Sequence, residues 1–206
     1  MIRQNLASRL LRPTSEGFVF LSGFSMMVIE LLAAKITSPY LGSSLYTWTS
    51  VIGVVLIGVT IGAWAGGRLS DRIRPDLLVA SAFVLAGISV MCSYGIAWFV
   101  GTNIVLFEWP LPLLTFIFAF TVFFPPAVLL AVIQPASVKR DLDKLEKAGT
   151  VYGTLGAWNA AGSILGTYLA GFVFQAFFST RLVWFVIAAL LVVCGIYIYV
   201  RHRFSR

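Results

Sequence analysis

The sequence predicts an all-α integral membrane protein with six transmembrane helices. Its hydrophobic content is 59%, and its charged content is only 11%. Soluble domains carry about 25% charged residues, so this composition excludes an ordinary soluble domain. A helix needs about 20 mostly apolar residues to cross a bilayer. Six runs reach that length, at about 17–37, 46–67, 77–100, 111–136, 150–175 and 180–200.

The basic residues lie in alternate connections between these spans. Thirteen of the 15 Lys and Arg precede span one or follow spans two, four and six: Arg3, Arg9, Arg12, Arg68, Arg72, Arg74, Lys139, Arg140, Lys144, Lys147, Arg201, Arg203 and Arg206. This is the positive-inside distribution. We therefore expect residues 17–200 to form one membrane domain in the plasma membrane of a prokaryotic cell, with cytoplasmic basic tails at 1–16 and 201–206. The net charge of +7 does not indicate a nucleic-acid partner, because nucleic-acid binding does not require this alternation.

Span one contains the stretch MVIELLAAK, which carries two charged residues, Glu30 and Lys35. At about 1.5 Å per residue, Glu30 lies about 20 Å from the inner edge of the span, slightly past the midplane. Lys35 lies near the outer edge, where its long stem reaches water. Five residues of helix turn Lys35 about 140° away from Glu30, so the two do not form an ideal ion pair.

Glu30 is the one costly side chain in the membrane, because an acid at the bilayer centre costs about 2.5–3.5 kcal/mol. Asn159 in span five is its natural polar partner, since it lies at about mid-depth as well. Two interpretations remain open for this pair. One is an interhelical hydrogen bond that fixes packing. The other is a binding point for a cation, an amine or a proton.

Spans two and five carry glycines at spacings that place them on one helix face. They are Gly58, Gly62 and Gly66 in span two and Gly162 and Gly166 in span five, and Gly171 follows beyond this spacing. Small residues at this spacing predict close helix packing, and a role in helix sliding is the alternative. Spans two and five are the middle helices of two successive triplets. This placement indicates a possible 3+3 inverted repeat.

Span four contains the pair Pro125–Pro126 near mid-membrane. A proline within a helix removes a backbone hydrogen bond, so we predict a kink there. An architectural kink is the first interpretation, and a gate of a transport site is the alternative. The following connection, Ser137–Gly149, has apolar residues at spacings of three and four. It is interpreted as either a short interfacial helix or a solvated linker.

The sequence offers few groups for catalysis or metal binding. The two cysteines, Cys92 and Cys194, both lie in apolar runs, and the one histidine, His202, lies in the basic tail. Such a set predicts neither a disulfide framework nor a zinc site. A histidine-based catalytic triad is excluded by the histidine count. We therefore expect no cofactor, no metal and no enzymatic activity.

Three segments together resemble the transmembrane part of the membrane-bound, fused major-facilitator/spermidine-synthase-like proteins. They are Ser22–Arg72, Pro125–Pro135 and Val151–Phe172. The first is the most specific, with a Ser-Gly start, an intramembrane glutamate, LGSSLY and a glycine ladder that ends in GRLSDR. The resemblance covers most of residues 17–200. It implies a fold similar to half of a major facilitator, which has twelve helices when complete.

The segment GRLSDR, with Gly67, Asp71 and Arg72, resembles the major-facilitator loop signature after helix two. The Gly-Arg-Arg that should follow is replaced here by Ile73–Arg74–Pro75. The resemblance also implies a soluble aminopropyltransferase domain, but no segment of this sequence matches one. Gly149–Leu155 opens a membrane helix and follows no strand, so it is not a dinucleotide fingerprint. We therefore expect no spermidine synthesis.

Two functions remain open. The first is a half-size, major-facilitator-like transporter of a small cationic or amine-type solute, which acts as a homodimer and binds substrate or proton at Glu30 and Asn159. The second is a non-catalytic membrane subunit that anchors a partner, such as a separately encoded spermidine-synthase-like enzyme. The bilayer is the expected environment in both.

Overall fold

The computed structural model describes residues 15–104, 106–142 and 145–204. Its described residues form helices and no strands. Six of the helices are long and apolar enough to cross a membrane, which confirms the all-α, six-helix prediction. We label them α1 (Ser15–Leu41), α2 (Leu45–Arg72), α3 (Pro75–Ile104), α4 (Leu111–Asp141), α5 (Leu145–Phe177) and α6 (Thr180–Phe204).

Two of these helices are not regular throughout. α4 consists of Leu111–Ala131 and Ile133–Asp141, separated at Val132. α5 begins with a short 3-10 turn and contains a π-helical segment at Leu169–Phe174 before its last turn. Pro135 accounts for the break in α4, because it has no N–H for the Ala131 carbonyl and its ring clashes with that carbonyl.

The helices associate mainly in three pairs. α1 packs along α5, α2 packs along α4, and α3 packs along α6. α3 also contacts α4, and α1 touches each of the other helices. The apolar part of α1 is accordingly the most buried of the six, with 56% of its residues inside the protein.

The connections differ from the sequence predictions in several places. GRLSDR is helical rather than a loop, because α2 continues to Arg72 and only two residues separate it from α3. The segment after span four is not an independent interfacial helix, since α4 simply extends to Asp141. The cytoplasmic tails at 1–16 and 201–206 stay predictions: α1 begins at Ser15 and α6 continues to Phe204, while residues 1–14 and 205–206 lie outside the described part of the chain.

The turn between α1 and α2 shows why its residues are small and polar. Gly42 has φ 75°, a left-handed conformation that suits glycine. Its N–H donates to the Ser38 carbonyl and closes α1. Ser44 then caps α2 by accepting a hydrogen bond from the Thr47 N–H.

Buried aromatic side chains pack against each other in the core. Trp184 is fully buried and its indole N–H donates to the Val90 carbonyl at 2.7 Å. It packs edge-on against Phe123, with ring centroids 6.2 Å apart. The Nε1 partner on α3 lets the ring lie inside without an unsatisfied donor.

Candidate functional site

A central cavity of about 250 Å³ lies between α1, α2, α4 and α5. Most of its wall is apolar, as expected between membrane helices. Five polar side chains also line it: Ser22, Glu30, Gln134, Asn159 and Ser163. Its rim reaches the exposed residues Leu56 and Ala63. The two residues predicted as a binding pair, Glu30 and Asn159, therefore share one cavity.

Glu30 is half-buried on α1 and faces this cavity. Among the residues that the structure describes, none forms a hydrogen bond or an ion pair with its carboxyl group. Lys35 is exposed and lines other pockets nearer the end of the helix. The cavity thus contains a carboxyl group whose oxygens have no protein donor in the described chain.

Asn159 bonds to a residue other than Glu30. Its Nδ2 donates to Gln134 Oε1 at 2.9 Å, so the interhelical hydrogen bond to Glu30, which was one of the two open interpretations, is not made. The reason is the level at which α5 meets α1. A Cβ on Gly23 would overlap the Asn159 side chain. Gly23 precedes Glu30 by seven residues, which is about 10 Å along the helix.

Gln134 is the site residue that the sequence analysis missed. It lies half-buried on α4, between the break at Val132 and Pro135, and it lines the cavity. The sequence feature that points to this residue is its amide side chain within the otherwise apolar run AVIQPA. A polar residue at membrane depth is costly unless it faces a partner or a cavity, and Gln134 faces both.

Ser22 joins the same wall to the irregular part of α4. Its hydroxyl donates to the Leu130 carbonyl at 2.9 Å. This carbonyl lies two residues before the break at Val132, where the helical hydrogen-bond pattern is interrupted. Hydroxyl groups commonly satisfy carbonyls at such interruptions within membranes. The bond therefore helps to hold α1 against α4 beside the cavity.

A constant spacing in the chain relates the opposite walls of the cavity. Residues 104 positions apart line it from α1 and α4, and likewise from α2 and α5. The five pairs are Met26 and Leu130, Met27 and Ala131, Glu30 and Gln134, Val55 and Asn159, and Val59 and Ser163. Glu30 and Gln134 thus occupy corresponding positions on the two walls.

The glycine contacts follow the same spacing. A Cβ on Gly58 would meet the Phe124 carbonyl, and one on Gly162 would meet the Phe20 carbonyl. Gly62 and Gly166 approach α4 and α1 in the same way, one turn further along, and Gly66 closely approaches Val132 on α4. These five glycines allow close approach of the helix backbones.

The packing prediction fails at Gly171. This glycine is exposed in the π-helical segment, and no atom lies within 4 Å of the position of its Cβ. Gly171 follows Gly166 by five residues rather than four, so it does not continue the face of α5 that packs against Phe24 on α1. Gly67 has equally open surroundings, and no tight packing depends on it.

Pro125 and Pro126 lie inside the uninterrupted helix Leu111–Ala131. The interruption in α4 lies further along the chain, at Val132, and corresponds to Pro135. Pro125 is exposed and Pro126 is buried, and neither lines the central cavity. A kink at Pro125–Pro126 stays a prediction, whereas the irregularity beside the site is at Val132.

The end of the bundle where α2, α4 and α6 finish, which we call the basic end, carries several ion pairs. Lys139 contacts Asp71 at 2.8 Å, and Arg140 contacts Asp76 at 2.8 Å. His202 Nδ1 lies 3.8 Å from the Asp76 carboxylate. Asp71 of the GRLSDR segment therefore binds α4, and Asp76 joins the start of α3 to α4 and α6. Arg72 is exposed.

The groups in the central cavity are suited to binding rather than to covalent chemistry. They comprise one carboxyl group, two amides and two hydroxyls, with no cysteine or histidine among the lining residues. Across the described ranges, no group of three or more His, Cys, Asp or Glu has the geometry for a metal ion. A carboxylate with nearby hydroxyl and amide oxygens suits a cation or an amine.

Comparison of the chain with protein-family models, with curated proteins and with solved structures finds no match. The resemblance noted from the sequence is therefore carried by the quoted motifs alone, and the function rests on the geometry of the central cavity.

Proposed function

We propose that this chain is a half-size, major-facilitator-like transporter of a small cationic or amine-type solute and that it works as a homodimer. The observation that carries the proposal is Glu30, a half-buried carboxyl group without a protein partner in the described chain, on the wall of a mainly apolar cavity between membrane-length helices. An acid at this depth is costly, and a bound cation offsets that cost.

The size and composition of the cavity support a small substrate. Its volume of about 250 Å³ lies below the range of about 300–1,000 Å³ that is usual for drug-sized ligands. The carboxylate of Glu30 would hold an ammonium group through charge-assisted hydrogen bonds. The hydroxyl of Ser163 and the amide of Asn159 supply further polar contacts, and the methionines at 26 and 27 accommodate methylene groups.

The arrangement of the helices supports an inverted repeat as the basis of transport. If α1, α2 and α3 are exchanged with α4, α5 and α6, the pairs α1–α5 and α2–α4 replace each other and α3–α6 is unchanged. The lining residues of the cavity that are paired at a spacing of 104 positions follow the same exchange of helices. In transporters with such repeats, the substrate site lies at the interface between the repeats, as the central cavity does here.

The exposed surface of α5 supports a homodimer. Only 17% of the apolar part of α5 is buried, against 56% for α1. Large aromatic and aliphatic residues lie exposed on α5 and on α2: Trp64, Tyr152, Trp158, Ile164 and Tyr168. The central cavity reaches the same side at Leu56 and Ala63. A second copy on this surface would complete the enclosure of the cavity. The basic end of each copy would then face the cytoplasm.

The dimer surface is tested by cross-linking through α5. In a variant with Cys92 and Cys194 replaced by alanine, Ile164→Cys should give several-fold more maleimide-linked dimer than Leu85→Cys. Ile164 is 59% exposed on α5 and Leu85 is 51% exposed on α3, so the two thiols are matched in accessibility. Equal yields in liposomes would contradict a dimer through α5. Cross-linking in native membranes to a different protein would favour the anchoring function.

Transport is tested by counterflow in proteoliposomes that contain the purified chain. Liposomes loaded with an unlabelled polyamine or organic cation should take up the labelled cation several-fold faster than protein-free liposomes. Neutral solutes of similar size should not exchange, because the single carboxyl group selects for positive charge. The absence of exchange across a panel of mono-, di- and polyamines would overturn the proposed function.

A further inference from the structure

A second polar pocket lies at the end of the bundle opposite the basic end. This far-end pocket has a volume of about 540 Å³ and is bounded by α1, the start of α2, the end of α5 and the start of α6. Its polar lining residues are Lys35, Ser38, Ser43, Gln175 and Thr180. Ser38 and Ser43 share a hydrogen bond at 3.1 Å.

Three of these side chains have no polar partner in the part of the chain that the structure describes. They are Lys35, Gln175 and Thr180, for which no side-chain hydrogen bond or ion pair is formed. Gln175 directly follows the π-helical segment of α5. Such segments are frequent at functional sites. The far-end pocket therefore presents an ammonium, an amide and a hydroxyl that are all available to a ligand.

A comparable pocket exists at the basic end, which we call the basic-end pocket. It has a volume of about 390 Å³. The 104-residue spacing also relates these two pockets through five pairs of lining residues, which include Ala34 and Val138, Lys35 and Lys139, and Trp48 and Tyr152. The chain therefore places a lysine in the same position in each pocket.

The two lysines differ in their electrostatic surroundings. Lys139 is neutralised by Asp71 at 2.8 Å. The position 104 residues after Asp71 is Gln175, which lines the far-end pocket and carries no charge. Where the basic end has an ion pair, the far-end pocket therefore has a lysine and an uncharged amide. The positive charge of Lys35 has no protein counterion among the described residues.

We propose that the far-end pocket binds a phosphate group, with Lys35 supplying the charge and Gln175 and Thr180 donating hydrogen bonds. All three side chains are donors, and lysine is a common phosphate ligand. Its one positive charge matches the single negative charge of a phosphodiester. The pocket lies at helix ends beside Trp48, where the phosphates and the aromatic belt of a bilayer are found. The phosphodiester of an acidic phospholipid is therefore the ligand that fits best.

The two pockets provide matched variants for a test. Phosphatidylglycerol binding to the purified full chain is measured by native mass spectrometry in detergent, and inorganic phosphate is added in a second arm as a competitor. Lys35→Gln should weaken lipid retention at least tenfold, whereas Lys139→Gln should leave it unchanged. Gln175→Asp should weaken lipid retention similarly although Lys35 is still present. The introduced carboxylate would pair with Lys35, as Asp71 pairs with Lys139 at the basic end.

Each outcome bears on the proposal. Loss in Lys35→Gln and Gln175→Asp, with wild-type binding in Lys139→Gln, supports the phosphate site. If inorganic phosphate then competes with the lipid, the ligand of the pocket is free phosphate. If it does not compete, the ligand is the phospholipid. Unchanged retention in Gln175→Asp, or equal loss in Lys139→Gln, overturns the proposal. Far-ultraviolet circular dichroism of each variant tests whether unfolding causes the loss of binding. Lys35→Arg keeps the positive charge and should retain binding.

Discussion

Gly162→Val is expected to destabilise the protein by about 3 kcal/mol or more, at the upper end of the 1–3 kcal/mol usual for overpacking. A Cβ at this position would overlap the backbone carbonyl oxygen of Phe20 on α1. A backbone atom cannot rotate away as a side chain does, so α1 and α5 would have to separate. This would also remove contacts at Gly166, one turn further along the same helix pair.

Gly156→Val provides the matched control for this prediction. Gly156 lies on the same helix, and no atom lies within 4 Å of the position of its Cβ. We expect its valine variant to change stability by less than about 0.5 kcal/mol, as is usual for substitutions without tight contacts. The measurement is the free energy of unfolding in mixed micelles during titration with dodecyl sulfate. Equal effects of the two substitutions would show that helix propensity dominates, rather than close packing.

The membrane class and the glycine faces could be predicted because both depend on patterns local to the chain. Apolar length and charge alternation define the spans, and a four-residue glycine spacing defines a packing face. The partner of each face could not be predicted. Gly62 lies against α4 and Gly162 lies against α1, which is a consequence of how the helices assemble in three dimensions.

The Glu30–Asn159 pair shows where a depth argument fails. Both residues were placed near mid-membrane by counting 1.5 Å per residue from the span ends. That count places Glu30 at about 20 Å and Asn159 at about 14 Å from the inner edge, a difference of about 6 Å, and a hydrogen bond cannot span such a difference between short side chains. Asn159 meets α1 at Gly23 and bonds to Gln134 on α4. Helix depth therefore places Glu30 and Asn159 in the same cavity, but it does not identify the hydrogen-bond partner of Asn159.

The sequence contains a further signal for the site. Segments 18–67 and 122–171 align without a gap, with identical residues at eight positions. The alignment places Val28–Ile29–Glu30 on Val132–Ile133–Gln134 and Lys35 on Lys139. It also places Gly58 on Gly162. Eight scattered identities are weak by themselves, because apolar helices share few residue types. They gain weight because the aligned positions line the same cavity.

Glu30→Gln is expected to lower kcat/KM for cation uptake by about 30- to 3,000-fold. Loss of one partner from a buried, hydrogen-bonded charge pair costs about 2–5 kcal/mol, and about 1.4 kcal/mol corresponds to a tenfold change. The glutamine keeps the size and hydrogen-bonding capacity of the side chain but removes its charge. Initial rates in proteoliposomes, normalised to reconstituted protein, measure the effect. Glu108→Gln, an exposed carboxyl between α3 and α4, should transport like the wild type.

Relocation of the charge separates an electrostatic role of Glu30 from a local packing role. In the double variant Glu30→Gln with Gln134→Glu, the carboxylate occupies the corresponding position on the opposite wall of the same cavity. The new carboxylate keeps the hydrogen bond that Asn159 Nδ2 donates to position 134, so the local geometry is preserved. Uptake should then recover to within about tenfold of the wild-type rate, because the relocated carboxylate restores a charge interaction worth a few kcal/mol. If the single variant is inactive and the double variant stays inactive, the charge of the cavity is not sufficient for binding, and Glu30 acts through its own position on α1.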